Sequence, residues 1–158
     1  MKTHRMRLDD FLEDSFQVIA IFCDENDYRI AFLLNKYLHL KLQKSTSIID
    51  KKKGSEFNVF EYNDKPLYRN WFLINNYCLI EKKVKNTHDL FSLNPVFIQQ
   101  KETHIKELKS AHYILKIVAD EKTQFYLELI KKLQEIPQIY TAELVHLNKL
   151  KNKKLLIF

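Results

Sequence analysis

The feature that most constrains the fold is an apolar strand running through an acidic turn into an amphipathic helix, and the chain contains it twice. In the second half, Tyr113-Ile114-Leu115-Lys116-Ile117-Val118-Ala119 leads through Asp120-Glu121 into an apolar repeat from Thr123 to Ile136. In the first half, the apolar run from Phe16 to Cys23 leads through Asp24-Glu25 into a repeat ending near Leu40. One constant offset sets Ile21-Phe22-Cys23-Asp24-Glu25 on Ile117-Val118-Ala119-Asp120-Glu121, Leu33 on Leu129, Leu34 on Ile130, Lys36 on Lys132 and Leu40 on Ile136. A run apolar at nearly every position needs cover on both faces, which puts each strand inside a sheet and not at its edge. Apolar residues at 3,4 spacing lay one stripe of a helix on that sheet. The first stripe is Ile30, Leu33, Leu34, Tyr37 and Leu38, and the second is Tyr126, Leu129, Ile130 and Leu133. Asp24 or Asn26 is expected to cap the first helix, an acid of Asp120-Glu121 the second, and Pro137 to end the latter. The repetition reads as a duplication or as two copies of a frequent pattern. Both give the same α+β topology: one domain over residues 1–158, a mostly antiparallel sheet with two main helices on one face.

Between the two units the pattern turns antiparallel. Leu40–Asp50 predicts a weak strand, and Lys51-Lys52-Lys53-Gly54-Ser55 is the strongest turn signal in the chain. Phe57–Tyr62 alternates as a strand does, Asn63-Asp64-Lys65-Pro66 predicts a turn, and Leu67–Ile74 returns before Asn75-Asn76 sends the chain into Tyr77–Lys82. Asn86–Gln100 has no clear period and reads as a loop around Asn94-Pro95. Ile105–Ser110 predicts a short helix or turn, Ile139–Leu147 a strand, and Lys149–Lys154 a turn. Residues 1–14 predict an amphipathic lead-in with Leu8, Phe11 and Leu12 facing inward. The apolar Leu155-Leu156-Ile157-Phe158 predicts docking on a core or on another chain.

Several classes of chemistry are excluded or disfavoured. A single glycine, Gly54, leaves no glycine-rich phosphate cradle. No apolar run reaches the roughly 18–20 residues of a membrane span. Asp9, Asp10, Glu13 and Asp14 stand where a secretory signal would be apolar, so the expected location is cytoplasmic, with no membrane partner. Cys23 and Cys78 lack metal or redox spacing and read as small buried hydrophobes, which suits a reducing compartment. None of His4, His39, His88, His104, His112 and His146 pairs at zinc-type spacing, although His104 and His112 flank one segment. No nucleophile elbow or cysteine–base pair is present. The sequence therefore assigns no catalytic residue, no cofactor and no metal, and Asp24-Glu25-Asn26-Asp27 reads as helix-terminus electrostatics. Aromatics are plentiful but sit mostly at core spacing on strands; Tyr28, Tyr68 and Tyr77 have no evident place.

The net charge is +6 and uneven: residues 1–79 hold 12 basic against 11 acidic residues, residues 80–158 hold 14 against 9. An excess of that sign favours an anionic partner. With 22 lysines and only four arginines, the excess lacks the rigid fork that grips phosphate or base edges, and much of it reads as a solvated surface.

The stretch Ile105-Lys106-Glu107-Leu108-Lys109-Ser110-Ala111-His112-Tyr113 resembles the signature of the IPExxxVDY family, an uncharacterised bacterial family. Ile105, Glu107 and Tyr113 match. Lys106, Ala111 and His112 stand where the signature has proline, valine and aspartate. Leu8-Asp9-Asp10-Phe11, Asp27-Tyr28-Arg29-Ile30-Ala31-Phe32-Leu33-Leu34-Asn35, Phe60-Glu61-Tyr62 and Asn148-Lys149-Leu150-Lys151 extend the likeness over most of the chain. The resemblance implies a small cytosolic bacterial protein with no catalytic residues to transfer. Physically the stretch reads as a fold element, Glu107 capping or bracing the entry to the strand at Tyr113.

The leading expectation is a non-catalytic protein-binding or adaptor module, its partner another protein or a second copy of itself. A second is association with RNA or the ribosome through Lys149, Lys151, Lys153 and Lys154, joined by Lys51–Lys53, which would weaken steeply with salt. A third is a small-ligand regulatory domain using the paired strand–helix units. The candidate binding residues are Glu107, Tyr113, Lys149, Lys151, Lys153 and Lys154.

Overall fold

The structure, a computed structural model, describes residues 16–84 and 95–156. The expected lead-in, with Leu8, Phe11 and Leu12, lies outside the described residues, as do His4, His88, Ile157 and Phe158. Six strands form one antiparallel sheet, with β1 (Phe16–Phe22) and β9 (Tyr113–Val118) side by side in its interior. Outside β1 lies β10 (Thr141–Val145). Outside β9 come β6 (Arg69–Asn75), β5 (Val59–Asp64) and the two-residue β2 (Gln43–Lys44). Helices α1 (Asp27–Leu38) and α2 (Thr123–Gln134) both pack on one face. This is the α+β arrangement that the two apolar runs require.

The two units are related with more symmetry than the residue matches alone suggested. Both helices start and end at equivalent positions, Asp27 with Thr123 and Leu38 with Gln134. On the ladder between β1 and β9, Ile19 lies opposite Leu115, its own equivalent at that same offset. A local two-fold therefore passes between β1 and β9. The period-2 pleat sends Ile19, Ile21, Leu115 and Ile117 toward the helices, and Phe16, Val18, Ala20 and Ile114 to the opposite face. On the helix face they meet Ile30, Leu33, Leu34, Tyr126, Leu129 and Leu133. Tyr37 departs from its expected place: it is 40% exposed, and Leu38 and Ile130 are only partly buried.

The helix ends are built differently. Asn26 caps α1, its side-chain oxygen accepting from Arg29 N at 2.8 Å, which is worth about 1 kcal/mol. The expected acidic cap on α2 is absent, because Lys122 holds that position with no side-chain bond. Glu121 is drawn away by Arg69, whose Nε donates to it at 2.8 Å and whose guanidinium lies 4.3 Å from the Phe125 ring centroid. α1 ends at His39 in the left-handed region (φ 55°), a place usually given to glycine.

The expected single strand over Leu40–Asp50 is two, β2 and β3 (Ile48–Asp50). The expected strand Phe57–Tyr62 breaks at Asn58 into β4 (Ser55–Phe57) and β5. β3 and β4 form their own hairpin. The turn expected at Asn63–Pro66 falls at residues 65–68, with Tyr68 at φ 52° and 88% exposed. β7 (Tyr77–Val84) does not extend the meander. It leaves the sheet at Asn76 and pairs with β8 (Val96–Thr103), so part of the expected loop is a strand. The expected strand Ile139–Leu147 shortens to β10 and gives way to a single 3-10 turn at Leu147–Lys149. No helix among the described residues is long and apolar enough to cross a membrane.

The second face of the sheet is covered by irregular chain: Ile105, Ala111, Leu150 and Leu156 pack on Val18, Ile74 and Ile114. Lys116, in the middle of β9, is only 5% exposed there. Its ammonium donates to the Leu156 carbonyl and lies 4.9 Å from the Phe16 ring centroid and 5.2 Å from that of Phe72. Burial lowers its pKa.

Candidate functional site

A cleft of about 850 Å³ opens where this second layer meets the β3–β4 hairpin. Its walls are the hairpin turn with Lys51, Lys52 and Lys53, the end of β8 with Glu102, Thr103 and His104, the 3-10 turn with Lys106 and Glu107, and the C-terminal segment with Lys151, Asn152 and Leu155. Each wall is fixed by a specific contact. In the hairpin turn, Asp50 Oδ1 accepts from Lys52 N at 3.0 Å and Lys53 N at 3.4 Å, and Gly54 N donates to the Asp50 carbonyl at 2.8 Å. Gly54 takes φ 69°, the one glycine placed where a left-handed backbone is required. Lys53 Nζ reaches Glu102 at 3.3 Å and ties the turn to β8.

Asn76 organises the inner wall. It is completely buried, and its side chain donates to the Leu108 carbonyl at 2.8 Å and the Ala111 carbonyl at 3.0 Å while accepting from Ile105 N at 2.9 Å. Its backbone N–H donates to the His112 carbonyl and its carbonyl accepts from His104 N. A buried polar side chain satisfied in this way fixes the path of the chain around it. His104, 7% exposed, sets its Nε2 3.0 Å from the Leu155 carbonyl and its ring 5.0 Å from that of Phe57. Burial lowers the His104 pKa, which favours the neutral ring with its proton on Nε2. Glu107 Oε1 accepts from Lys151 N at 3.0 Å and joins the 3-10 turn to the C-terminal segment.

The candidate residues divide accordingly. Glu107 and Lys151 line the large cleft, together with Lys51–Lys53. Lys149 lines a smaller one of about 330 Å³ on the other side of Glu107, and Lys153 and Lys154 line neither. Tyr113 is 1% exposed, its hydroxyl donating to the Glu25 carbonyl at 2.6 Å, so it has no surface to offer a partner. Lys106 and Asn76 were not singled out as site residues by the sequence, and His104 was noted only for flanking one segment with His112; nothing local marks an isolated Asn or Lys as part of a cleft built from distant turns.

His104 and His112 do not converge. His112 Nε2 lies 3.6 Å from Asp24 Oδ1, and Tyr140 OH donates to the other oxygen of Asp24 at 2.6 Å. That bond to Asp24 raises the Tyr140 pKa. The trio resembles a base with its orienting acid, yet the Asp24 side chain is 74% exposed and the neighbouring Cys23 thiol is fully buried, its pKa raised by that burial. Cys78 departs from expectation in being only half-buried. Among the described residues no group of three or more His, Cys, Asp and Glu side chains could hold a metal ion.

What the cleft can do chemically is attract and hold negative charge. Five lysines line it against three acids, and each acid is engaged: Asp50 by backbone amides, Glu107 by Lys151 N, Glu102 by Lys53. No family model matches the chain, and no curated protein or solved structure matches it.

Proposed function

We propose that the chain is a non-catalytic binding module that receives an anionic stretch of a partner macromolecule in the lysine-rimmed cleft. One observation carries the reading: lysines from two turns far apart in sequence, at Lys51–Lys53 and at Lys151, close on one concave surface with apolar Ile48, Ile49 and Leu155 within it. A solvated surface has no need of that convergence, whereas long-range attraction into a concave site does. The reading keeps the protein in the cytoplasm and in the bacterial IPExxxVDY family. Two free cysteines and the likeness at Ile105, Glu107 and Tyr113 support it.

The test is affinity capture from the protein's own cells, comparing the wild type with the triple reversal Lys51→Glu, Lys52→Glu, Lys151→Glu, each with and without nuclease. The wild type is expected to retain a partner that the reversal loses while its melting temperature stays unchanged. Equal retention by both proteins would remove the cleft from the function.

A further inference from the structure

The composition of the cleft separates two kinds of polyanion. Nucleic acid strands held without pairing are gripped by bases stacked on exposed rings or guanidinium planes, with phosphates on arginine forks or free backbone amides. Among its described lining residues the cleft has neither an exposed ring nor an arginine. Its described rings, Phe57 and His104, are 4% and 7% exposed and pack on each other. The amides of Lys52, Lys53 and Gly54, which could cradle a phosphate, are already bonded to Asp50.

What the cleft does offer is lysine ammoniums on flexible stems, Lys51, Lys52, Lys106 and Lys151, beside exposed aliphatic surface. Ile49 is 59% exposed and Leu155 41%, with Ile48 between burial and exposure. Point charges on flexible stems suit carboxylates whose spacing is not rigid, and the aliphatic patch suits an apolar side chain. The carboxylates of Glu102 and Glu107 on the same walls would repel a continuous phosphate backbone, while a peptide can place its acids between them and offer its N–H groups.

We infer that the occupant of this cleft is an acidic peptide segment carrying a large aliphatic anchor, its carboxylates on Lys51, Lys52, Lys106 and Lys151 and its anchor on Ile49 and Leu155. This rests on the reading of the cleft as the binding surface and names the class of partner. Burying one such anchor corresponds to roughly a tenfold or greater gain in affinity.

Fluorescence anisotropy with three labelled probes tests it: a short Glu-rich peptide with one central Leu, the same peptide with that Leu changed to Ser, and a single-stranded RNA of similar length. The full chain is titrated as wild type, as Lys51→Glu/Lys52→Glu/Lys151→Glu, and as Ile49→Ser, with thermal melts confirming that each is folded. The Leu peptide is expected to bind wild type best. It should weaken about tenfold with the Ser peptide or with Ile49→Ser, and more with the lysine reversal. RNA bound in preference to the peptide, and lost on lysine reversal, would overturn the peptide assignment while leaving the cleft as a binding surface. Equal binding of the Leu and Ser peptides would also overturn the assignment. Binding of no probe, or binding indifferent to the lysines, would overturn both.

Discussion

On the helix face of the sheet, Ile19, Ile21, Leu73, Leu115 and Ile117 meet two helices in a contact made of side chains without charge. On the opposite face the same strands present Val18, Ile74, Ile114 and, between them, Lys116, covered by a C-terminal segment that carries four lysines. Regular elements cover the first face and turns cover the second. Regular cover buries apolar stripes and holds most of its backbone bonds internally, so it needs polar help only at its ends, as Asn26 gives α1. Turn cover leaves amides and carbonyls to satisfy, and Asn76, His104, Glu107 and Lys116 supply the partners. One face specifies the fold, and the other shapes a cleft.

Adjacent residues of β9 give the largest expected effects and the sharpest version of this contrast. Leu115→Ala, on the helix face, should cost about 4 kcal/mol in chemical denaturation, because two packed helices cannot collapse into the space left. Ile114→Ala, equally buried on the other face, should cost only about 2–3 kcal/mol if the irregular cover relaxes. Equal costs would mean that both faces are equally rigid.

Next comes Asn76→Ala, expected to cost about 3 kcal/mol by stranding the Ile105 amide and the Ala111 carbonyl and by removing one of the two bonds to the Leu108 carbonyl. Hydrogen exchange should show the loss concentrated in residues 104–112. A change below about 1 kcal/mol would deny the hub its role. Smaller again is Asn26→Ala on the helix face, about 1 kcal/mol, with α1 fraying at its first turn.

The last contrast is in pH. His104 is held neutral, with its pKa below the ordinary 6.5. Its contribution to stability is therefore complete above pH 6.5 and is lost as pH falls through the lowered folded-state value. His104→Gln, which keeps a donor for the Leu155 carbonyl, should flatten this part of the acid limb in melts below pH 6.5. Parallel limbs for the two proteins would show that His104 does not titrate with unfolding.

How much of this could be read from the sequence follows the same division. Strands β1 and β9 and both helices were legible because burial on a regular element imposes a period, and the shared offset extends even to the helix ends. The β3–β4 hairpin and the β7–β8 ribbon were misdrawn because alternation does not say which strand pairs with which. Asn58 breaks one apparent strand and Asn76 diverts another, and neither asparagine differs in sequence from an ordinary turn residue. The lysines of the two turns were visible as charge. Their closure on one cleft was not, since it depends on Asn76 and Glu107 acting across the fold. Tyr113, chosen for its place in the signature, proves to be a core residue bonded to the Glu25 carbonyl.

The most direct measurement is a map of backbone amide shifts as the Glu-rich, Leu-anchored peptide is titrated into the labelled protein. The account predicts that changes gather at residues 48–55, 102–107 and 151–155, and leave Asp24, His112 and Tyr140 still. Shifts centred on those three residues, or spread evenly along the lysine-bearing surface with no focus at the cleft, would contradict it.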